Sequence, residues 1–283
     1  MFEMNDTTEP INRVQPISEA RLISPVSNEG GEPSEYWNNG VFDFVRKYNY
    51  DKHDARVAEV PDDPSELDNI LKELRENFFQ TKQTFDIEFR KTQLRRFGEG
   101  LRKYQDEFAK ALEFDVGKSA FDADTEITGS EWAIAHDISH VDDWAKDEAI
   151  DTPIMMAPGT CKVKPEPLGV VAVISAWNYP VLLMATPVTQ AIITGNCVIA
   201  KPSELAPMTS AVMKKVFDEF LDPRFYRCVE GRLQVSIKLT SMRLDKIIFT
   251  GSTQTGRLVA QAAAKNLVPC ILELGGKSPC VID

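Results

Sequence analysis

Residues 168–176 read Leu168-Gly169-Val170-Val171-Ala172-Val173-Ile174-Ser175-Ala176 and run directly into Trp177-Asn178-Tyr179-Pro180. A run so apolar and so short is a strand buried on both faces, because a half-exposed strand alternates polar with apolar residues. Reading on, 181–194 has helical character, Cys197–Lys201 is a second short buried strand, and Met208–Leu221 is helical again. The pattern continues with strand Phe225–Val229, helix Val235–Met242, strand Lys246–Thr250, helix Thr255–Lys265 and strand Val268–Glu273. Strands and helices alternating at these lengths predict an α/β fold with a doubly wound parallel sheet over 168–283. Such sheets bind ligands outside the carboxyl ends of their strands.

Upstream the grammar differs. Pro153, Pro158, Pro165 and Pro167 bracket Met155–Val163, which predicts a hairpin arm over 151–167. Residues 65–150 read as a helical segment. Ser65 is placed as an N-cap before Leu67, Ile70, Leu71, Leu74 and Phe78 on one face, and Ile87, Leu94, Phe97 and Leu101 outline a second helix. Phe108, Leu112 and Val116 outline a third, ending near Gly117, and a fourth runs over 124–146. In the fourth, His136 and His140 lie four apart, as two zinc ligands do, but the glutamate of H-E-x-x-H is absent and Asp137 is poorly placed, so the reading is a packed helix without metal. Residues 1–64 are acidic and punctuated by proline, with no sustained period, and are expected to be a largely disordered leader. Its Tyr48-x-x-x-Lys52 pair matches the spacing of short-chain reductases; with no nucleotide-binding unit before it, the pair is read as incidental.

Composition narrows the function. The 283 residues carry 32 basic and 43 acidic side chains, a formal charge of -11, and the first 68 hold 15 of the acids against 6 bases. Nucleic acid is not an expected partner, since phosphate binding needs a basic face. The five cysteines show no C-x-x-C pair and no dense framework, so reduced thiols in the cytoplasm are expected. The amino terminus lacks the basic start and apolar run of a signal peptide. The most apolar stretch, Leu168 to Leu183, is broken by Asn178, Tyr179 and Pro180, so no membrane segment is expected.

Polar residues recur where the expected strands end. Trp177-Asn178 offers an amide donor that can stabilise an oxyanion. Lys201-Pro202-Ser203-Glu204 places a cation and a carboxylate beside the same crevice; Glu204 can accept from ribose hydroxyls, or the pair is a capped loop with an exposed ion pair. Thr250-Gly251-Ser252-Thr253-Gln254-Thr255-Gly256 is either a pyrophosphate seat at a helix N-terminus or a plain strand-to-helix connection. Glu273-Leu274-Gly275-Gly276 closes an apolar strand with a carboxylate, and a carboxylate in an apolar site can serve as a base.

Taken in order, Pro167-Leu168-Gly169-Val170-Val171, Trp177-Asn178-Tyr179-Pro180, Gly195-Asn196, Lys201-Pro202-Ser203-Glu204, Phe249-Thr250-Gly251-Ser252 and Glu273-Leu274-Gly275-Gly276-Lys277-Ser278-Pro279 resemble the aldehyde dehydrogenase superfamily over residues 65–283. The W-N-Y-P form and the following Cys280 look most like its class-three branch, which includes fatty-aldehyde dehydrogenases. The resemblance implies NAD(P)-dependent oxidation of aldehydes to carboxylic acids through a cysteine thiohemiacetal and thioester. It implies Asn178 as oxyanion donor and Glu273 as general base, with Trp177, Lys201, Glu204, Gly251, Ser252, Gly256 and Gly275 at the cofactor, NAD or NADP. It also implies an aldehyde substrate and a homodimer at full length. In the family the nucleophilic cysteine lies a few dozen positions beyond the base, in a second domain, whereas this chain stops at Asp283. The expectation is therefore a truncated chain whose catalytic domain is absent; the alternative is an inactive nucleotide-binding fragment. Cys280 is placed at the start of a buried strand, where a thiol is inert.

Overall fold

The computed structural model describes residues 50–282. Five helices come first: α1 (Tyr50–Glu59), α2 (Leu67–Thr81), α3 (Ile87–Lys103), α4 (Gln105–Val116) and α5 (Ala120–Trp144). Their apolar stripes supply Leu74, Phe78, Leu94, Phe97, Leu101, Phe108, Leu112 and Ile127 to one continuous core. Gly117 ends α4 with φ of 68°, a backbone state glycine adopts without steric penalty. Two short strands, β1 (Glu148–Ile150) and β2 (Cys161–Val163), pair antiparallel as a hairpin arm whose first strand lies ahead of the expected start at 151, in the stretch read as helical, with Ile154, Met155 and Met156 exposed between them.

The sheet follows. Its strands are β3 (Val170–Ile174), β4 (Cys197–Lys201), β5 (Tyr226–Cys228), β6 (Lys246–Gly251) and β7 (Cys270–Leu274), and its helices are α6 (Leu182–Ile193), α7 (Pro207–Phe220), α8 (Leu233–Thr240) and α9 (Thr253–Ala264). The strand order is β5-β4-β3-β6-β7, every pair parallel. Central β3 and β4 are buried at every residue, which is why they read as unbroken apolar runs. The chain winds outward from β3 to β5, then returns to the other side of β3 for β6, so a topological switch point lies between β3 and β6. With right-handed crossovers, the helices of the two halves cover opposite faces. Helices α6 and α7 lie against α3, α4 and α5, while α8 and α9 lie together.

The helical segment also caps the sheet's helices. Glu126 of α5 accepts from the backbone N–H groups of Val181 (3.0 Å) and Leu182 (3.1 Å) at the start of α6. Asp115 of α4 accepts from Met208 and Thr209 at the start of α7 (3.2 and 2.7 Å) and from the Thr209 hydroxyl. Asp62 accepts from Arg232, Gln234 and Val235 at the start of α8. Each carboxylate satisfies amides that have no partner within their own helix and meets the positive end of its dipole. Burial pushes the Asp115 carboxyl above its ordinary value, against the Thr209 and Met208 hydrogen bonds and nearby His53. At Asp62 burial acts in the same upward direction, but the three backbone donors and Arg232 outweigh it and hold the group below 3.8.

Three further sequence readings change. Residues 50–59 are helical: α1 lies against α7, His53 bonds the Leu205 carbonyl at 3.1 Å and Val60 is buried, so a segment too polar to fold alone is ordered by docking. Glu66, not Ser65, precedes α2, and it forms no side-chain cap; the Ser65 N–H instead donates to Asp63. The fourth helix starts at Ala120, capped by Ser119. Tyr48 and the leader before residue 50 lie outside the described residues.

Asp62→Asn is expected to lower stability by about 1 kcal/mol near neutral pH, discounted for its partial exposure. Because the folded carboxyl titrates below the unfolded value of 3.8, its stabilisation is complete above that pH and lost as pH falls through the lowered value. Urea melts of both proteins across that range should therefore converge in acid; a gap that persists there contradicts the capping role.

Candidate functional site

Sheet register brings the polar strand ends to one level. Ile174, the last residue of β3, pairs with Lys201 on one side and Phe249 on the other, and Thr250 pairs with Glu273. The segments leaving these strands therefore open onto the same rim. Asn178, Lys201, Glu204, Ser252 and Glu273, spread over nearly a hundred positions, all line one cleft of about 1360 Å³. Trp177, Gly251 and Gly275 line it too. Its floor and walls are apolar: Leu182 and Pro187 from α6, Leu233 and Ile237 from α8, Leu258 and Val259 from α9.

Lys201 is the most constrained of these groups. Its side chain is 2% exposed and its Nζ donates to Glu204 Oε2 at 2.6 Å, with Glu204 30% exposed. The exposed ion pair of the sequence reading is thus a buried ammonium held by a carboxylate that still reaches the cleft. Ser252 is the N-cap of α9: its Oγ accepts from the Thr255 N–H at 3.1 Å and lies 2.9 Å from Thr255 Oγ1. The hydroxyl is used for capping, and the first turn of α9 faces the cleft through Ser252 and Thr255.

Other expected roles shift. Gly256 does not line the cleft; a Cβ there would come within 2.6 Å of Leu274 Cδ2, so its absence lets α9 approach β7 closely. Gly275 has open space around it, so close approach is not imposed on it by this chain. Glu273 is exposed on edge strand β7, so the apolar surroundings expected for a base are not built by the described residues. Asn178 is exposed on the cleft wall beside Trp177, itself 51% exposed. Cys280 is exposed and lies in no strand, because none of the described residues packs on the segment after Leu274. By contrast, burial pushes the Cys197 thiol up to about 12 and the Cys228 thiol higher still. No cysteine lines the cleft.

Sequence reasoning missed the residues that hold the Trp177-Asn178-Tyr179-Pro180 turn. Glu126 ties the amides directly after it and is paired with Lys118, whose ammonium stands 3.6 Å from the centre of the Tyr179 ring. It also missed Ser175, whose Oγ is buried at the cleft with no hydrogen-bond partner. No local spacing announces either one; both depend on contacts made by the folded chain.

The aldehyde dehydrogenase family model matches residues 47–283. The chain belongs to the aldehyde dehydrogenase family. The match begins ahead of residue 65 and takes in α1, consistent with that helix docking on the sheet domain. Aldehyde dehydrogenase family 3 member H1 of Arabidopsis thaliana is 40% identical over 220 residues, covering 77% of this chain and 45% of the relative. Relatives of this kind place the chain in the class-three branch. Among solved structures, a substrate-bound Staphylococcus aureus AldH superposes with a TM-score of 0.72 at 36% identity, over 75% of this chain and 46% of that one. A Staphylococcus aureus betaine aldehyde dehydrogenase in complex with NAD+ superposes with a TM-score of 0.69 at 25% identity, over 75% and 43%. The chain spans about half the length of the relatives it matches.

Within this aldehyde dehydrogenase domain, Glu204→Gln should strand a buried ammonium. The expected cost is about 3 kcal/mol in a urea melt, the lower edge for losing one partner of a buried pair because water reaches Glu204. Lys201→Met should cost less, and equal penalties would contradict the assignment of Lys201 as the buried, dependent charge.

Proposed function

We propose that this chain forms the cofactor-binding part of an NAD(P)-dependent oxidation of aldehydes to carboxylic acids. The observation that carries the reading is the convergence of Asn178, Lys201, Glu204, Ser252 and Glu273 on one cleft at the sheet's switch point. The cleft fits a dinucleotide in its chemistry. Apolar walls from α8 and α9 suit a flat base, and Glu204 offers a carboxylate to ribose hydroxyls while its charge opposes a 2′-phosphate, favouring NAD over NADP. The N-terminal turn of α9 suits pyrophosphate. Ser175 Oγ is a buried polar atom that a ligand would satisfy. The betaine aldehyde dehydrogenase that shares this fold holds NAD+ in its own structure.

When bound, the nicotinamide supplies the hydride acceptor. The protein's part begins with attack of a cysteine thiolate on the aldehyde carbon, where the Asn178 amide donates to the oxygen as negative charge develops on it. Oxidation of the resulting thiohemiacetal leaves a thioester. Glu273 then takes a proton from water as the water attacks, and the acid and free thiolate leave. The thiol has to come to this rim from outside the lining residues, since none of them is a cysteine. Reduced cysteines fit a cytoplasmic enzyme, and the exposed Ile154-Met155-Met156 edge of the hairpin arm suits the interface of a homodimer.

The absence of a lining cysteine favours one second reading, a nucleotide-binding module without turnover. Aldehyde-dependent NADH formation by the full-length product separates the two. Asn178→Ala should lower kcat by about 10²–10³-fold. Glu273→Gln should release one equivalent of NADH and then stall with a thioester in place. A Glu273→Gln enzyme that turns over normally contradicts the base assignment, and a full-length protein that binds NAD+ but never reduces it establishes the second reading.

A further inference from the structure

The Glu204 carboxylate stands on a tight turn, and one contact to that turn comes from a helix outside the sheet. The Ala206 N–H donates to the Ser203 carbonyl at 3.1 Å, and the Leu205 N–H donates to Ser203 Oγ at 3.3 Å. Glu204 and Leu205 are therefore the two central residues of the turn, and both line the cleft. The carbonyls of central residues have no partner within such a turn. The Leu205 carbonyl finds one 152 positions upstream, in His53 Nε2 of α1 at 3.1 Å.

A carbonyl only accepts, so His53 Nε2 carries the hydrogen. The ring is held in place: its side chain is 13% exposed, and its centre lies 6.2 Å from that of the Phe114 ring on α4. Next to Phe114, Asp115 accepts from the Met208 and Thr209 amides at the start of α7, directly after the turn. At the other end Lys201 is fixed in the sheet beside Ile174 and donates to Glu204 Oε2. The turn is thus held at its strand end, at its helix end and, through His53, at the peptide that closes it.

That last contact bears on Glu204. The Leu205 carbonyl and the Ala206 N–H belong to one peptide group, which is bonded to Ser203 on one side and to His53 on the other. Without His53 the turn is closed through this peptide by a single bond, and turns lacking that bond are common.

We propose that His53 is a positioning residue for Glu204: by holding the turn closed it keeps the carboxylate at the rim and sets the preference for a dinucleotide with a free ribose 2′-hydroxyl over one with a 2′-phosphate. The inference rests on the cofactor reading of the cleft given above. With the turn closed, the charge of Glu204 opposes a phosphate and occupies the Lys201 ammonium. With the turn loosened, the carboxylate can withdraw, and that ammonium becomes the counter-charge a phosphate needs.

The test is calorimetric titration of the full chain and two variants with NAD+ and with NADP+, read as the ratio of the NADP+ to the NAD+ Kd. That ratio should exceed one in the wild-type protein. His53→Leu removes the donor and should lower it by about 3–10-fold, the factor one net hydrogen bond commands. His53→Gln supplies an amide N–H in place of Nε2–H and should stay within about twofold of wild type. No described side chain of α1 belongs to the continuous core, so both variants are expected to fold. A second readout needs no ligand: the Ala206 amide should exchange its hydrogen faster in His53→Leu and at the wild-type rate in His53→Gln. A purely structural role would weaken both dinucleotides alike and leave the ratio unmoved. That result, equal ratios in the two variants, or an Ala206 exchange rate unchanged by His53→Leu overturns the positioning role while leaving the cofactor reading intact. A wild-type chain that binds neither dinucleotide overturns the cofactor reading and the role of His53 with it.

Discussion

The parallel register of β3 against β4 and β6 is the constraint on which the rest depends. Because Ile174, Lys201 and Phe249 share one level, the chain leaving each strand opens onto the same rim, and the order reversal at β3 leaves a gap there. A shift of one residue in either ladder would invert every side chain of the displaced strand and carry it to the opposite covered face, where its volume no longer matches the helices packed there. The cleft is therefore fixed by the same burial that stabilises the sheet. Each fully buried Val or Ile in β3 and β4 contributes about 1.5–3 kcal/mol.

Three carboxylates tie the helical segment to that sheet. Glu126, Asp115 and Asp62 each meet the first turn of a sheet helix, so the sheet's helices are held at their N-termini by a different part of the chain. The Glu126 contact bears on the cleft most directly, because the amides it holds follow directly on Asn178 and the aromatic turn. The Lys118 ammonium completes the arrangement by pairing with Glu126 and facing the Tyr179 ring. Packing and site geometry are one property here: the acid that caps α6 also sets where the turn stands.

Much of this was legible in the sequence, for reasons of periodicity. Strands buried on both faces and helices with one apolar face announce themselves locally, and Cys197–Lys201 was placed to the residue. The convergence of Asn178, Lys201, Glu204, Ser252 and Glu273 was also legible, since each lies at or just beyond the carboxyl end of a strand of one parallel sheet. The capping carboxylates were not, because their partners lie 55 to 173 positions away and no local spacing encodes such a pair. The packing of Gly256 on β7 was not legible, because a glycine serving helix-to-strand contact looks the same in sequence as one serving a phosphate. Cys280 was given the start of a buried strand from its Ser-Pro-Cys context, yet burial needs a covering element, and none of the described residues provides one. The membership in the aldehyde dehydrogenase family, suggested by six ordered motifs, is carried by the match over residues 47–283.

The account stands on the strand ends acting as a single ligand site. Backbone amide resonances of the chain, followed as NAD+ is added, test that directly. Residues 176–178, 201–204, 251–256 and 273–275 should shift along one shared titration curve, with the hairpin arm and the outer face of α5 unaffected. Shifts confined to one of these segments, or curves with different midpoints, would show that the rim is not one site.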